Sequence, residues 1–118
     1  MKLITKEIEK KLRANDGLDN CFPVVKFFNP TGSATWLITE MHEDGDTLFG
    51  LCDLGMGFPE LGTVSLRELE SVTLPLGLKI ERDLYFEADK RIDSYYEEAR
   101  KEGYIDAWLR INRFRVRV

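Results

Sequence analysis

Only two cysteines, Cys21 and Cys52, occur in the 118 residues, 31 positions apart. That count offers no disulfide framework, and two buried free thiols in a reducing compartment are expected. No apolar run reaches the about twenty residues that span a bilayer. The opening MKLITKEIEKK lacks the apolar stretch of an export signal. A soluble cytoplasmic chain without a membrane partner is therefore expected. Histidine occurs once, at position 42, so a zinc centre would have neither paired imidazoles nor paired thiolates. Acidic residues are absent after Asp106, where Arg110, Arg113, Arg115 and Arg117 fall.

That last absence splits the charge. The chain carries net −4, but residues 1–109 hold 13 basic against 21 acidic side chains, a net −8, and the tail carries +4. A body of that sign does not resemble a general phosphate binder, whose mark is a basic face. Nucleic-acid contact would have to use the tail, with Arg113, Arg115 and Arg117 as the candidate residues. Tyr95, Tyr96, Tyr104 and Trp108 could supply stacking surfaces for bases. A wet strand face rich in arginine also discourages edge pairing, and tyrosines at helical spacing commonly serve the core.

With 43% hydrophobic and 32% charged residues, apolar content is ample to offset chain entropy. A chain this long buries roughly two thirds of its unfolded surface, so a single domain over residues 1–118 is expected. Ile4, Ile8 and Leu12 recur at helical spacing after Thr5, a fair N-cap, and residues 15–17 end that helix. VVKFFN, ATWLITEM and residues 47–54 read as three strands joined by connections too short for crossover helices, an antiparallel meander. Trp36, Ile38, Phe49 and Leu51 are expected on one face or its neighbour.

Ser65 with Glu68 matches a capping box opening a short helix to about residue 72, which Pro75 and Gly77 stop from extending. Residues 78–84 suggest a further strand. Ser94 with Glu97 repeats the box, and Ile92, Tyr95, Tyr96 and Ala99 share a helix face that Gly103 terminates. From Arg113 the chain alternates, with Phe114, Val116 and Val118 on one side and arginines on the other, as in a strand with one wet face. The fold class is α+β: an antiparallel sheet, the meander plus C-terminal strands, packed with two to three helices.

Residues 49–62, FGLCDLGMGFPELG, hold four glycines, a proline and six large apolar side chains. Such a segment specifies one particular loop, expected to pack Met56, Phe58 and Leu61 onto the sheet. It is not a phosphate cradle: no Lys followed by Ser or Thr comes after its last glycine, and Glu60 stands where a dinucleotide loop needs its third. Asp53 before Gly55 is suited to accept backbone N–H bonds from the loop, and Glu60 likewise. Asp53, Phe58 and Glu60 are also the candidate partner-binding residues.

Glu40, His42, Glu43, Asp44 and Asp46 gather oxygens and one imidazole, but turns are acidic because they are wet, and the spacing departs from a calcium loop. No metal and no cofactor are expected. A nucleophile reading would select Cys52 with His42 as base and Asp53 as orienting group. Cys52 sits in an apolar strand and Asp53 points to the opposite face, which weakens that trio. No catalytic residue is assigned, and the chain is not expected to be an enzyme.

VVKFFNPTGSATWLITE, FGLCDLGMGFPELGTVSLRELE, LPLGLKIERDLYFEADK and EEARKEG together resemble the bacterial family known as domain of unknown function 2958, over about residues 23–105. The resemblance implies an accessory protein of plasmids, conjugative elements or phage-like islands, with no established catalytic residues. It leads to the expectation of a non-catalytic protein that binds a partner protein in an anti-defence or transfer role. The alternative is a nucleic-acid-binding accessory using the arginine strand, and a small cysteine or metal-dependent enzyme is the remote one.

Overall fold

The computed structural model describes residues 2–107 in full and the backbone of residues 109–111 and 114–116. Helix α1 (Lys6–Ala14) begins where the Thr5 side chain accepts the Ile8 N–H at 3.1 Å. Acidic residues in its first turn and basic ones in its last complement the helix dipole. The chain then forms β1 (Val25–Phe28), β2 (Thr35–Met41) and β3 (Thr47–Asp53), the antiparallel meander expected. A fourth strand, β4 (Glu60–Ser65), follows, where a loop was expected over residues 49–62. That segment is a hairpin, with Leu51 opposite Leu61 and Gly50 opposite Gly62.

The Ser65 hydroxyl then accepts the Glu68 N–H at 3.2 Å and opens α2 (Leu66–Ser71). Of the strand expected over residues 78–84, two residues pair: β5 (Glu81–Arg82) lies antiparallel to β1. The five-stranded sheet has the order β4-β3-β2-β1-β5. Helix α3 (Ile92–Glu102) ends at Gly103, whose φ of 84° is left-handed and whose N–H donates to Ala99 O at 2.8 Å. Its start departs from the Ser94 capping box. Ser94 lies inside the helix, and Asn20 Oδ1, from a distant loop, accepts the Asp93 N–H at 3.1 Å.

The C-terminal strands do not join the main sheet. β6 (Leu109–Ile111) and β7 (Phe114–Val116) pair with each other as a ribbon. Of the expected arginine strand only Arg115 lies within it; Arg113 and Arg117 lie outside the described residues.

The sheet is covered on both faces, which is why β1 is buried at every position instead of alternating. On one face, Leu12 of α1 and Leu66 and Leu69 of α2 pack on Val25, Phe27, Trp36, Ile38, Met41 and Leu48. On the other, Leu37 and Leu51 meet Ile92, Tyr95 and Ala99 of α3 and Ile105. Trp36 and Ile38 thus share the first face, while Leu51 serves the second. Each such buried side chain contributes roughly 1.5–3 kcal/mol.

Candidate functional site

The β3–β4 hairpin ends in a turn over residues 54–59 whose large side chains point to solvent. Leu54 is 60% exposed, Met56 69% and Phe58 78%. Met56 and Phe58 therefore do not pack onto the sheet as expected; Leu61 alone of the three does, half-buried against the α3 side. The turn's shape is fixed from below. Asp53 closes β3 with its side chain 2% exposed, Oδ1 accepting the Gly55 N–H at 2.8 Å and Oδ2 the Ile105 N–H at 3.1 Å. One carboxylate thereby ties the hairpin tip to the segment leaving α3.

Gly55 has φ 83°, and a Cβ there would also strike the Ser33 side chain, so both backbone and space require glycine. Gly50 is needed for a different reason: a Cβ would collide with the Leu37 carbonyl on the adjacent strand. Pro59 is buried at the foot of the turn and Glu60, opposite Cys52, is exposed. The tip is a preformed apolar knob on an anchored frame. Such clustered apolar exposure commonly marks an interaction site.

Of the candidate partner-binding residues, Phe58 and Glu60 are accessible. Asp53 is not, because both its oxygens are taken by the chain's own N–H groups, the anchoring role expected of an Asp before this loop.

The nucleophile trio is not assembled. His42 N–H donates to Thr47 O at the start of β3, while Cys52 lies five residues on, about 16 Å at strand rise. Burial pushes the Cys52 thiol up to about 11. At neutral pH it is protonated, a poor nucleophile. The Cys21 thiol is also raised, by burial first and then by Glu40, and it lines an open groove of about 1030 Å³ between the end of α1 and residues 86–91.

The acidic turn after β2 is used structurally. Asp44 accepts the Thr47 hydroxyl at 2.5 Å and the N–H groups of Thr47 and Asp46 at 2.8 Å, which hold its carboxyl down to about 2. Asp46 accepts the Arg67 N–H at 2.8 Å and the Ser65 hydroxyl at 2.7 Å, and these bonds lower its pKa. A residue 19 positions upstream of Ser65 thus completes the α2 cap. Asp16, Glu40 and His42 come within 4.8 Å of one another, and Glu40 is held there by the Gly17 N–H at 3.0 Å.

Sequence reasoning missed a second buried charge. Lys26 of β1 is fully buried on the α3 face. Its Nζ donates to Asp83 Oδ2 at 3.2 Å and to Ala107 O at 2.9 Å. The Asp83 N–H in turn donates to Lys26 O at 3.0 Å, so the ion pair sits beside its own backbone pair. Lys26 and Asp53 are two rods from the sheet that hold residues 105–107. Nothing in a single lysine within an apolar strand distinguishes this role, since its partner lies 57 residues away.

Fold and site together define an α+β domain with a two-faced antiparallel sheet and an anchored apolar hairpin tip. Residues 3–106 match the family described as "Protein of unknown function (DUF2958)", and the chain belongs to that family. The match takes in α1 as well as the segments that carried the resemblance. No curated protein and no solved structure matches the chain.

Proposed function

We propose that this chain is a non-catalytic accessory protein that acts in the cytoplasm by binding a partner protein through the β3–β4 hairpin tip. One observation carries this: Leu54, Met56 and Phe58 stand 60–78% exposed on a turn whose backbone Asp53 holds by two hydrogen bonds. An exposed aromatic side chain on a rigid frame loses little entropy on docking, and the flexible methionine beside it adapts to the partner's surface, which favours their use as anchors. Glu60 at the foot of the turn adds a charge to the rim. The setting implied by the family resemblance is a mobile genetic element, where the partner would belong to a host defence or to the transfer machinery. The test is affinity capture from the source cell with wild type, Phe58→Ser and Glu60→Lys. The captured protein is expected to be lost with Phe58→Ser and weakened with Glu60→Lys; capture indifferent to both removes the tip from the account.

A second function is favoured by the C-terminal ribbon, whose register sets Arg110 directly opposite Arg115. A nucleic acid would be held through Arg113, Arg115 and Arg117, in the part of the chain where the net charge is +4. Binding to DNA or RNA at low salt, lost on replacing Arg113, Arg115 and Arg117 by alanine, would support it. No binding by wild type at low salt ends it.

A further inference from the structure

β4 is an outer strand of the sheet, and its sequence ELGTVS carries a single charge, at Glu60. Antiparallel pairing alternates bonded and non-bonded positions. The Leu66 N–H donates to Asp46 O at 2.9 Å, so by alternation Val64, Gly62 and Glu60 exchange bonds with Leu48, Gly50 and Cys52 of β3. Leu61 and Thr63 therefore direct both their N–H and C=O groups outward, and Ser65 its N–H, while the Ser65 C=O, as N-cap, opens the hydrogen bonding of α2. Among the described residues no strand pairs with that edge. The usual guards are missing too: β4 contains no proline, no lysine and no bulge. The opposite edge strand, β5, is only two residues long.

We propose that β4 pairs with β4 of a second copy of this chain, antiparallel about a two-fold axis at Thr63, joining two five-stranded sheets into one. A symmetric register must set outward residues against outward residues. Centring it on Thr63 does so, placing Thr63 opposite itself, Leu61 opposite Ser65 and Gly62 opposite Val64. Thr63 is exposed, and the space beside Gly62 is open. The same register sets Glu60 opposite Leu66, next to Arg67, which pairs with Asp46 of its own copy at 3.5 Å yet keeps its side chain 83% exposed. The only charge of the strand is thereby set near a basic side chain of the other copy. This self-complementarity selects a second copy over an unrelated extended segment. Leu54, Met56 and Phe58 lie beyond Glu60, the strand residue nearest the tip, which stands three residues or roughly 10 Å from the axis, so the hairpin tip remains free at each end of the joined sheet.

Sedimentation of the full chain from low to high micromolar concentration tests the pairing, with circular dichroism confirming that each variant is folded. Wild type is expected to dimerise. Thr63→Lys, which sets two ammonium groups face to face while leaving the bonds to β3 intact, should raise the dimer dissociation constant about tenfold or more. Glu60→Arg and Arg67→Glu should each weaken the dimer, and the double exchange should restore it. Phe58→Ser should leave the dimer unchanged, so a failure of tip binding and a failure of edge pairing are read separately. A chain that stays monomeric throughout overturns the proposal. A dimer indifferent to Thr63→Lys and to the charge exchange does so equally, because it would use another surface.

Discussion

The Lys26 ammonium lies 3.2 Å from the Asp83 carboxylate with both side chains sealed from solvent, and the same ammonium donates to Ala107 O at 2.9 Å. A charge pair this deep stabilises only while complete, because removing either member strands the other in a medium that cannot solvate it. Lys26→Met is expected to cost about 3–5 kcal/mol in denaturant unfolding. Adding Asp83→Leu should recover part of that loss, since it removes the stranded carboxylate but also the Oδ1 that accepts the Tyr85 N–H at 2.9 Å. Single and double variants equally unstable would contradict the pairing.

Asp53 links the tip to residue 105 by two bonds from one carboxylate. Asp53→Ala leaves two N–H groups without their acceptor, for an expected loss of about 1–3 kcal/mol each where burial is complete. Amide exchange at Gly55 and Ile105 should accelerate together while that at Leu37 stays slow. Acceleration at only one of them would mean that the carboxylate does not bridge the two segments.

Much of the local structure was legible because it is written in neighbouring residues. Thr5 and Ser65 cap their helices by bonding three positions on, and Gly103 ends α3 by adopting a left-handed φ. β4 escaped because glycines at 50 and 62 erode a strand's pattern. They are tolerated as a cross-strand pair, at Gly50 because β2 approaches so closely. Ser94 misled because the N–H groups at the start of α3 find their acceptor in Asn20, which no local pattern announces. The site was half legible. Asp53's anchoring of Gly55 follows from their spacing, but the exposure of Met56 and Phe58 depends on where the turn points once β4 is in place.

The turn carboxylates set an acid limb of stability. Asp44 is held at about 2 and Asp46 is also lowered from the ordinary 3.8. Folding thus binds fewer protons than the unfolded chain does, so their contribution is fully present above about 4 and is lost as pH falls toward about 2. Urea titrations at pH 6 to pH 2 should show stability falling over that interval. Asp44→Asn combined with Asp46→Asn should flatten the fall. An unchanged slope would contradict the bonding of these groups.

Cys52 should be slow to alkylate. With its thiol at about 11 against an ordinary 9.0, the thiolate fraction at pH 8 is about 100-fold lower than for a free thiol. Iodoacetamide labelling followed by mass spectrometry should show Cys52 protected in the native chain and labelled rapidly in urea. Rapid labelling in the native state would show an exposed, activated thiol and revive the nucleophile reading.

The central claim is that the hairpin tip contacts a partner protein, and a photo-crosslinking amino acid placed at position 58 in the source cell tests it most directly. Phe58 is 78% exposed, so the replacement should leave stability within about 0.5 kcal/mol of wild type. A discrete crosslinked species from position 58, absent when the probe replaces the exposed Lys101 on α3, is the result the account predicts. No crosslink from position 58, or the same species from both positions, would contradict it.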